Sequence, residues 1–304
     1  MERSLRNRLT FGPLMLVGLF LLLWLDHAAQ RWTQPWMQSR FGVAEGVGGI
    51  GLMILLATIM PIAVQEIAIL FTAEQIRPYR IISAAGSSAL ILHAFFTQFP
   101  PFQRIAASCF AFIIVFIMLA AALRRAMKKQ TQEAILKMAG TVLATMYLGG
   151  LGWFLMALRV KHSPDEGGHG FHGTTWTILS ILLMVKFTDI GAYFGGRAFG
   201  RRKLIFWLSP GKTWEGLFFG LMTAGIVGAL CAPGLPNVPW WKGFIFGVII
   251  GGIGQLGDLL ESLMKRDAEV KDSGRLVPGF GGILDIIDSP LVAAPFAYLL
   301  FSLL

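Results

Sequence analysis

Apolar runs long enough to cross a membrane recur along the whole chain, and they limit the fold more than any other feature. They extend over Phe11–Leu25, Val47–Phe71, Ile81–Phe96, Ile105–Leu123, Ile135–Leu158, Thr175–Tyr193, Trp214–Cys231, Phe244–Leu263 and Ser289–Leu304. A spanning helix needs about 20 mostly apolar residues, so these runs predict an all-α polytopic integral membrane protein of about nine transmembrane helices. A transmembrane barrel would instead show ~10-residue segments of alternating polarity. Composition agrees: the chain is 55% hydrophobic and 14% charged, against roughly 25% charged in soluble domains. That much apolar surface needs lipid as part of its solvent.

Basic residues set the orientation. With the N-terminus inside, 18 of the 26 Lys and Arg fall on cytoplasmic segments, namely the N-terminus, Arg77–Arg80, Arg124–Lys129, Arg197–Lys212 and Lys265–Arg275. Six fall on the opposite side, Arg31, Arg40, Arg104, Arg159, Lys161 and Lys242. The bias follows the positive-inside rule and accounts for much of the net charge of +9. The same charge attracts anionic headgroups and nucleotides. No soluble basic domain exists to carry nucleic acid. The basic start at Met1–Arg8 resembles a signal peptide, but Asp26 and His27 spoil the cleavage site, so an uncleaved first helix is expected. Cys109 and Cys231 lie in or beside apolar runs and are expected as free thiols.

The chain changes character along its length. Residues 1–134 hold few interior charges and no recognisable motif, whereas residues 135–304 hold the polar constellations; one structural unit is expected. In the first constellation, Asp258 and Glu261 stand three apart at a helix end and share a face. After the basic Lys265, Arg266 and Lys271, and Asp272, the glycines near Pro278 permit a tight turn. Asp285 and Asp288 then return two carboxylates at helical spacing. Carboxylates at a membrane boundary are costly unless paired or metal-bound. Hard oxygen ligands suit Mg²⁺ held together with substrate phosphates, and Lys or Arg suit phosphate oxygens. The plainer alternative is a charged loop capping two helices.

From Ser262 through Lys265-Arg266, Lys271-Asp272, Gly274, Pro278-Gly279, Gly281-Gly282 and Leu284-Asp285 to Asp288-Ser289, the pattern resembles the signature of the phosphatidate cytidylyltransferases, or CDP-diglyceride synthases. Phe280 and Ile286 stand where that family usually carries His and Arg. Two upstream elements resemble the same family, Asp189-Ile190-Gly191-Ala192-Tyr193 with its following glycines, and Ser209-Pro210-Gly211-Lys212-Thr213-Trp214-Glu215-Gly216. The resemblance covers about the last 120 residues. It implies transfer of a cytidylyl group from CTP to phosphatidate, with CDP-diacylglycerol and pyrophosphate as products. It also implies Mg²⁺, one ion or two, and a homodimer. Asp258, Asp285, Lys265, Arg266 and Lys271 are then the catalytic candidates. Asp258, Asp285 and Asp288 are the metal ligands, with Asp189 a further choice. Asp189, Ser209, Lys212, Thr213, Glu215, Glu261 and Asp272 are the substrate-binding candidates. The expected setting is the inner (cytoplasmic) membrane, with the site facing the cytoplasm.

Other readings stay open at this point. Gly211-Lys212-Thr213 is not a P-loop, because Phe206 stands where its first glycine is required. Ser209 or Thr213 could simply cap the following helix. Lys186 and Asp189 within a span would also suit an ion-coupled transporter, though no internal repeat is visible. An enzyme acting on another lipid phosphate is a third reading. His162, His169 and His172 share one outer loop that more simply is just polar. Trp24, Trp32, Trp36, Trp153, Trp240 and Trp241 read as an interfacial belt.

Overall fold

The computed structural model describes residues 2–129, 131–161, 174–235, 238–270, 273–274, 276–277, 279 and 281–303. Helices dominate: α1 (Glu2–Phe41), α2 (Ile50–Ala73), α3 (Arg80–Phe96), the single turn α4 (Pro100–Gln103), α5 (Ala106–Met127), α6 (Ala134–Thr145), α7 (Leu151–Val160), α8 (Thr175–Phe199), α9 (Trp214–Cys231), α10 (Trp240–Asp267) and α11 (Leu284–Ser302). A π-helical turn at Met146–Gly150 joins α6 to α7, making one continuous span of 27 residues. Among the described residues, eight helices are long and apolar enough to cross a membrane, and α3 is a shorter ninth apolar helix. The expected all-α polytopic architecture is therefore what the chain adopts.

Three details depart from the expectation. The stretch Ser209–Thr213, read as a loop, is strand β2, paired antiparallel with β1 (Lys203–Ile205) in a small hairpin. The first helix does not stop at the end of its apolar run but continues to Phe41, so Arg31 and Arg40 are helical. Arg159, placed by sequence with an outer loop, is instead a fully buried residue of α7. The reason is pairing: its Nε donates to Asp26 Oδ2 at 2.7 Å, and Nη2 donates to Gln30 Oε1 at 2.9 Å. Polar residues beyond the apolar run of α1 are thereby satisfied inside protein, where lipid offers no partner. The three histidines of the outer loop lie outside the described residues.

The chain forms two compact units, one of Met1–Val160 with Asp267–Ile286, the other of Lys161–Arg266 with Ile287–Leu304. In the second unit glycines bring helix backbones into contact. A Cβ at Gly220 on α9 would lie 2.8 Å from the Thr188 carbonyl oxygen of α8, and one at Gly247 on α10 would collide with the Ala224 carbonyl oxygen of α9. Lipid provides no hydrophobic drive for helix association, so close packing of small residues carries it. Gly247→Ala is expected to lower the unfolding temperature in detergent, because overpacking costs about 1–3 kcal/mol. Gly252→Ala is the matched control, since its Cβ would sit 3.5 Å from Leu221 Cδ2. Equal unfolding temperatures for the two variants would refute the packing account.

Candidate active site

The site lies in the second unit, where α8, β2, α10 and α11 supply its side chains. Gly257 on α10 starts the construction. A Cβ there would stand 2.9 Å from the Ser289 Cα and 3.1 Å from the Asp288 carbonyl oxygen, so α10 and α11 touch at that glycine. The contact sets Asp258, the next residue, against Asp288. Asp258, Glu261 and Asp288 each offer a carboxylate oxygen, and these oxygens all lie within 4.8 Å of one another. Glu261 is 1% exposed and Asp288 2% exposed. Asp288 Oδ2 is buried and has no hydrogen-bond partner among the described residues.

Cations surround the cluster. The Lys212 ammonium, at the end of β2, pairs with Asp258 Oδ2. Lys265 Nζ lies 2.9 Å from Glu261 Oε2, one helical turn away. Lys186 and Asp189, on α8, lie within electrostatic reach of Asp288. Asp189 Oδ1 accepts a 2.6 Å hydrogen bond from Gln255 Nε2, which stands one turn before Asp258 on the same face of α10. Asp189, Tyr193, Leu204, Lys212, Thr213 and Gln255 line a cleft of about 280 Å³. That volume is at the lower edge of ordinary ligand sites, about 300–1,000 Å³.

The remaining described candidates have the following partners. Thr213 Oγ1 accepts from the Gly216 N–H at 3.1 Å and caps α9. Ser209 is paired with Ile205 in the hairpin. The Glu215 carboxylate accepts from the Arg201 and Arg202 amides at 3.0 and 3.2 Å, holding the basic turn that follows α8. Arg266 Nε reaches the Leu208 carbonyl at 3.4 Å. Asp285 belongs to the first compact unit, where its Oδ2 accepts from the Gly282 N–H at 2.6 Å. Lys271 and Asp272 lie outside the described residues, as does Phe280. Two participants escaped the sequence reading. Gln255 is a neutral amide without a motif. Glu66, treated below, is a lone acid within an apolar run.

The profile of the cytidylyltransferase family matches residues 8–304. The chain belongs to that family. Among curated relatives, it is 42% identical over 156 residues to a phosphatidate cytidylyltransferase of Haemophilus influenzae, covering 49% of this chain and 53% of that protein. It is 43% identical over 145 residues to one of Synechocystis, covering 46% and 49%, and 37% identical over 163 residues to one of Bacillus subtilis, covering 53% and 57%. The chain thus spans about half the length of these relatives. Family membership extends the likeness into the first half of the chain, where the sequence shows no motif.

Proposed function

We propose that this protein transfers the cytidylyl group of CTP to phosphatidate, and that the cluster of Asp258, Glu261 and Asp288 is the centre of that chemistry. The cluster carries the reading because three carboxylate oxygens lie within 4.8 Å, two of them on almost fully buried side chains, a donor set that suits a divalent cation. The orphaned Asp288 Oδ2 is an unused hard ligand of the kind Mg²⁺ takes. Asp258, Glu261 and Asp288 would hold the ion. When bound, it supplies charge neutralisation on substrate phosphates.

The chain's own groups do the rest. Lys212 pairs with a cluster carboxylate and lines the cleft, so an arriving triphosphate exchanges one anionic partner of this ammonium for another. Lys265 is kept beside the cluster by Glu261. Gln255 fixes Asp189 at the cleft wall. A phosphatidate oxygen forms a bond to the α-phosphorus, and the bond from that phosphorus to the β-bridging oxygen breaks, releasing pyrophosphate. The attacking phosphomonoester is already largely dianionic near neutral pH, with a second pKa of about 6, so no protein base is needed. Positioning and charge placement are what such a reaction demands. A groove of about 520 Å³ beside the hairpin is walled by Trp214, Phe218 and Phe219 and topped by Arg202 and Glu215. Its apolar wall, with Arg202 beside it, suits the lipid acceptor. The excess of basic residues on the loops of this side supports a site that faces the cytoplasm from the inner membrane.

The test is to reconstitute the protein with α-labelled CTP, Mg²⁺ and a panel of lipid phosphates. CDP-diacylglycerol formation that needs both phosphatidate and Mg²⁺ is the expected result. Label entering only an isoprenoid or other lipid phosphate would replace the acceptor, and no labelled lipid with any acceptor would overturn the reading.

A further inference from the structure

Glu66 lies in the C-terminal third of α2, in an apolar run of the first compact unit, and is 6% exposed. A lone acid in such a place is costly unless fully engaged. It is engaged with the Gly-rich motif more than 200 residues away. Glu66 Oε1 accepts the Ile283 N–H at 3.0 Å, and Oε2 accepts the Leu284 N–H at 2.8 Å and the Ser273 hydroxyl at 3.4 Å. A Cβ at Gly274 would stand 2.5 Å from Oε1, and one at Gly282 would stand 2.5 Å from Oε2. Both glycines are thereby explained: they make room for this carboxylate.

The Ile283 and Leu284 amides are among the first of α11, which have no acceptor within the helix. An N-cap side chain usually serves them, but Ile283 offers none. Glu66 supplies the cap from another helix. It also ties Ser273, ahead of the tight turn, to Leu284, behind it. The turn itself is closed by the pair Val277–Gly281, with Gly279 and Gly281 at φ of +88° and +96°. Asp288 follows Leu284 by one helical turn, so where α11 begins decides where Asp288 points.

We infer that Glu66 is a positioning residue for the carboxylate cluster: it caps α11 from α2 and so fixes the turn that carries Asp285 and Asp288. This rests on the cytidylyl-transfer reading for its turnover arm and on the proposed metal site for its Mn²⁺ arm. Glu66→Gln keeps the shape but turns one acceptor into a donor facing the loop. Gly282→Ala keeps the charge and displaces the carboxylate, so the two variants reach the same point by different routes.

Three readouts are taken on the full-length protein in detergent. Amide exchange of residues 281–286 is expected to accelerate at least tenfold in both variants. The Mn²⁺ dissociation constant and the turnover should each worsen about 10–100-fold, the usual effect of removing a group that orients metal ligands, with KM for CTP changed less. A merely structural Glu66 would lower the unfolding temperature and leave turnover per folded molecule and Mn²⁺ affinity unchanged; that outcome overturns the inference. Should wild-type protein form no CDP-lipid, the proposed reaction fails, and exchange with Mn²⁺ affinity still decides the role of Glu66. Unchanged exchange and unchanged Mn²⁺ affinity in Glu66→Gln would end it.

Discussion

Asp288→Asn is expected to lower Mg²⁺-dependent CDP-lipid formation by about a thousand-fold while leaving the metal-free protein at least as stable as wild type. The two halves of that result come from one geometry. Without a cation, Asp258, Glu261 and Asp288 crowd three acidic groups within 4.8 Å, and Asp288 Oδ2 gains nothing from a hydrogen bond among the described residues. Like charges so placed repel, so a neutral isostere relieves the fold. With substrate and Mg²⁺ present the sign reverses. Loss of one group that stabilises developing charge costs roughly 10²–10³ in turnover, and here a metal ligand goes with it. Thermal unfolding in detergent with EDTA and then with Mg²⁺ separates these effects. Wild type should gain stability on adding the ion, as any ligand of the folded state provides, and Asp288→Asn should gain much less. Undiminished turnover, or an undiminished Mg²⁺-induced rise, would remove Asp288 from the metal site.

What the sequence shows of this protein depends on how local each cause is. The spans are legible because hydrocarbon thickness dictates a run of apolar residues that any reader can see. The hairpin is not, because three-residue and five-residue strands containing Pro210 and Gly211 carry no periodic signal. The end of α1 is hidden for another reason: its polar residues are satisfied by distant partners, as Asp26 is by Arg159. In the site, the acidic residues are readable as a set, since the motif prints them together. Which of them meet is decided by helix faces and helix contacts. Gly257 brings Asp258 and Glu261 to Asp288, while Asp285 turns to the Gly282 amide. Lys186 and Asp189, which by themselves suggest a transport pathway, take on a different sense once Gln255 and Lys212 stand beside Asp189. Glu66 is the extreme case, because its partners are 207 to 218 residues away.

The buried pair Asp26–Arg159 gives the second large effect, on stability and not on chemistry. Both side chains are at most 1% exposed. Asp26 Oδ2 takes the Arg159 Nε at 2.7 Å, Oδ1 takes the Gly51 N–H at 3.0 Å, and Gln30 takes a second guanidinium nitrogen. Removing one member of a buried ion pair costs about 3–5 kcal/mol, because the other charge stays buried and unbalanced. Asp26→Asn is therefore expected to lower the unfolding temperature by about 10 °C, taking about 2–4 °C per kcal/mol for a chain of this order. The amide can still accept from Gly51, so the loss is one of charge and not of the backbone contact. Arg159→Met in the same chain should restore most of the loss, since a neutral pair no longer demands a counter-charge. Below the unfolding temperature, turnover per folded molecule should be near wild type in both variants, because neither residue belongs to the compact unit that holds Asp258, Glu261 and Asp288. If Asp26→Asn unfolds at the wild-type temperature, the pair is not balancing a buried charge. If the double variant is no more stable than the single one, the loss comes from packing around Gln30 and not from electrostatics.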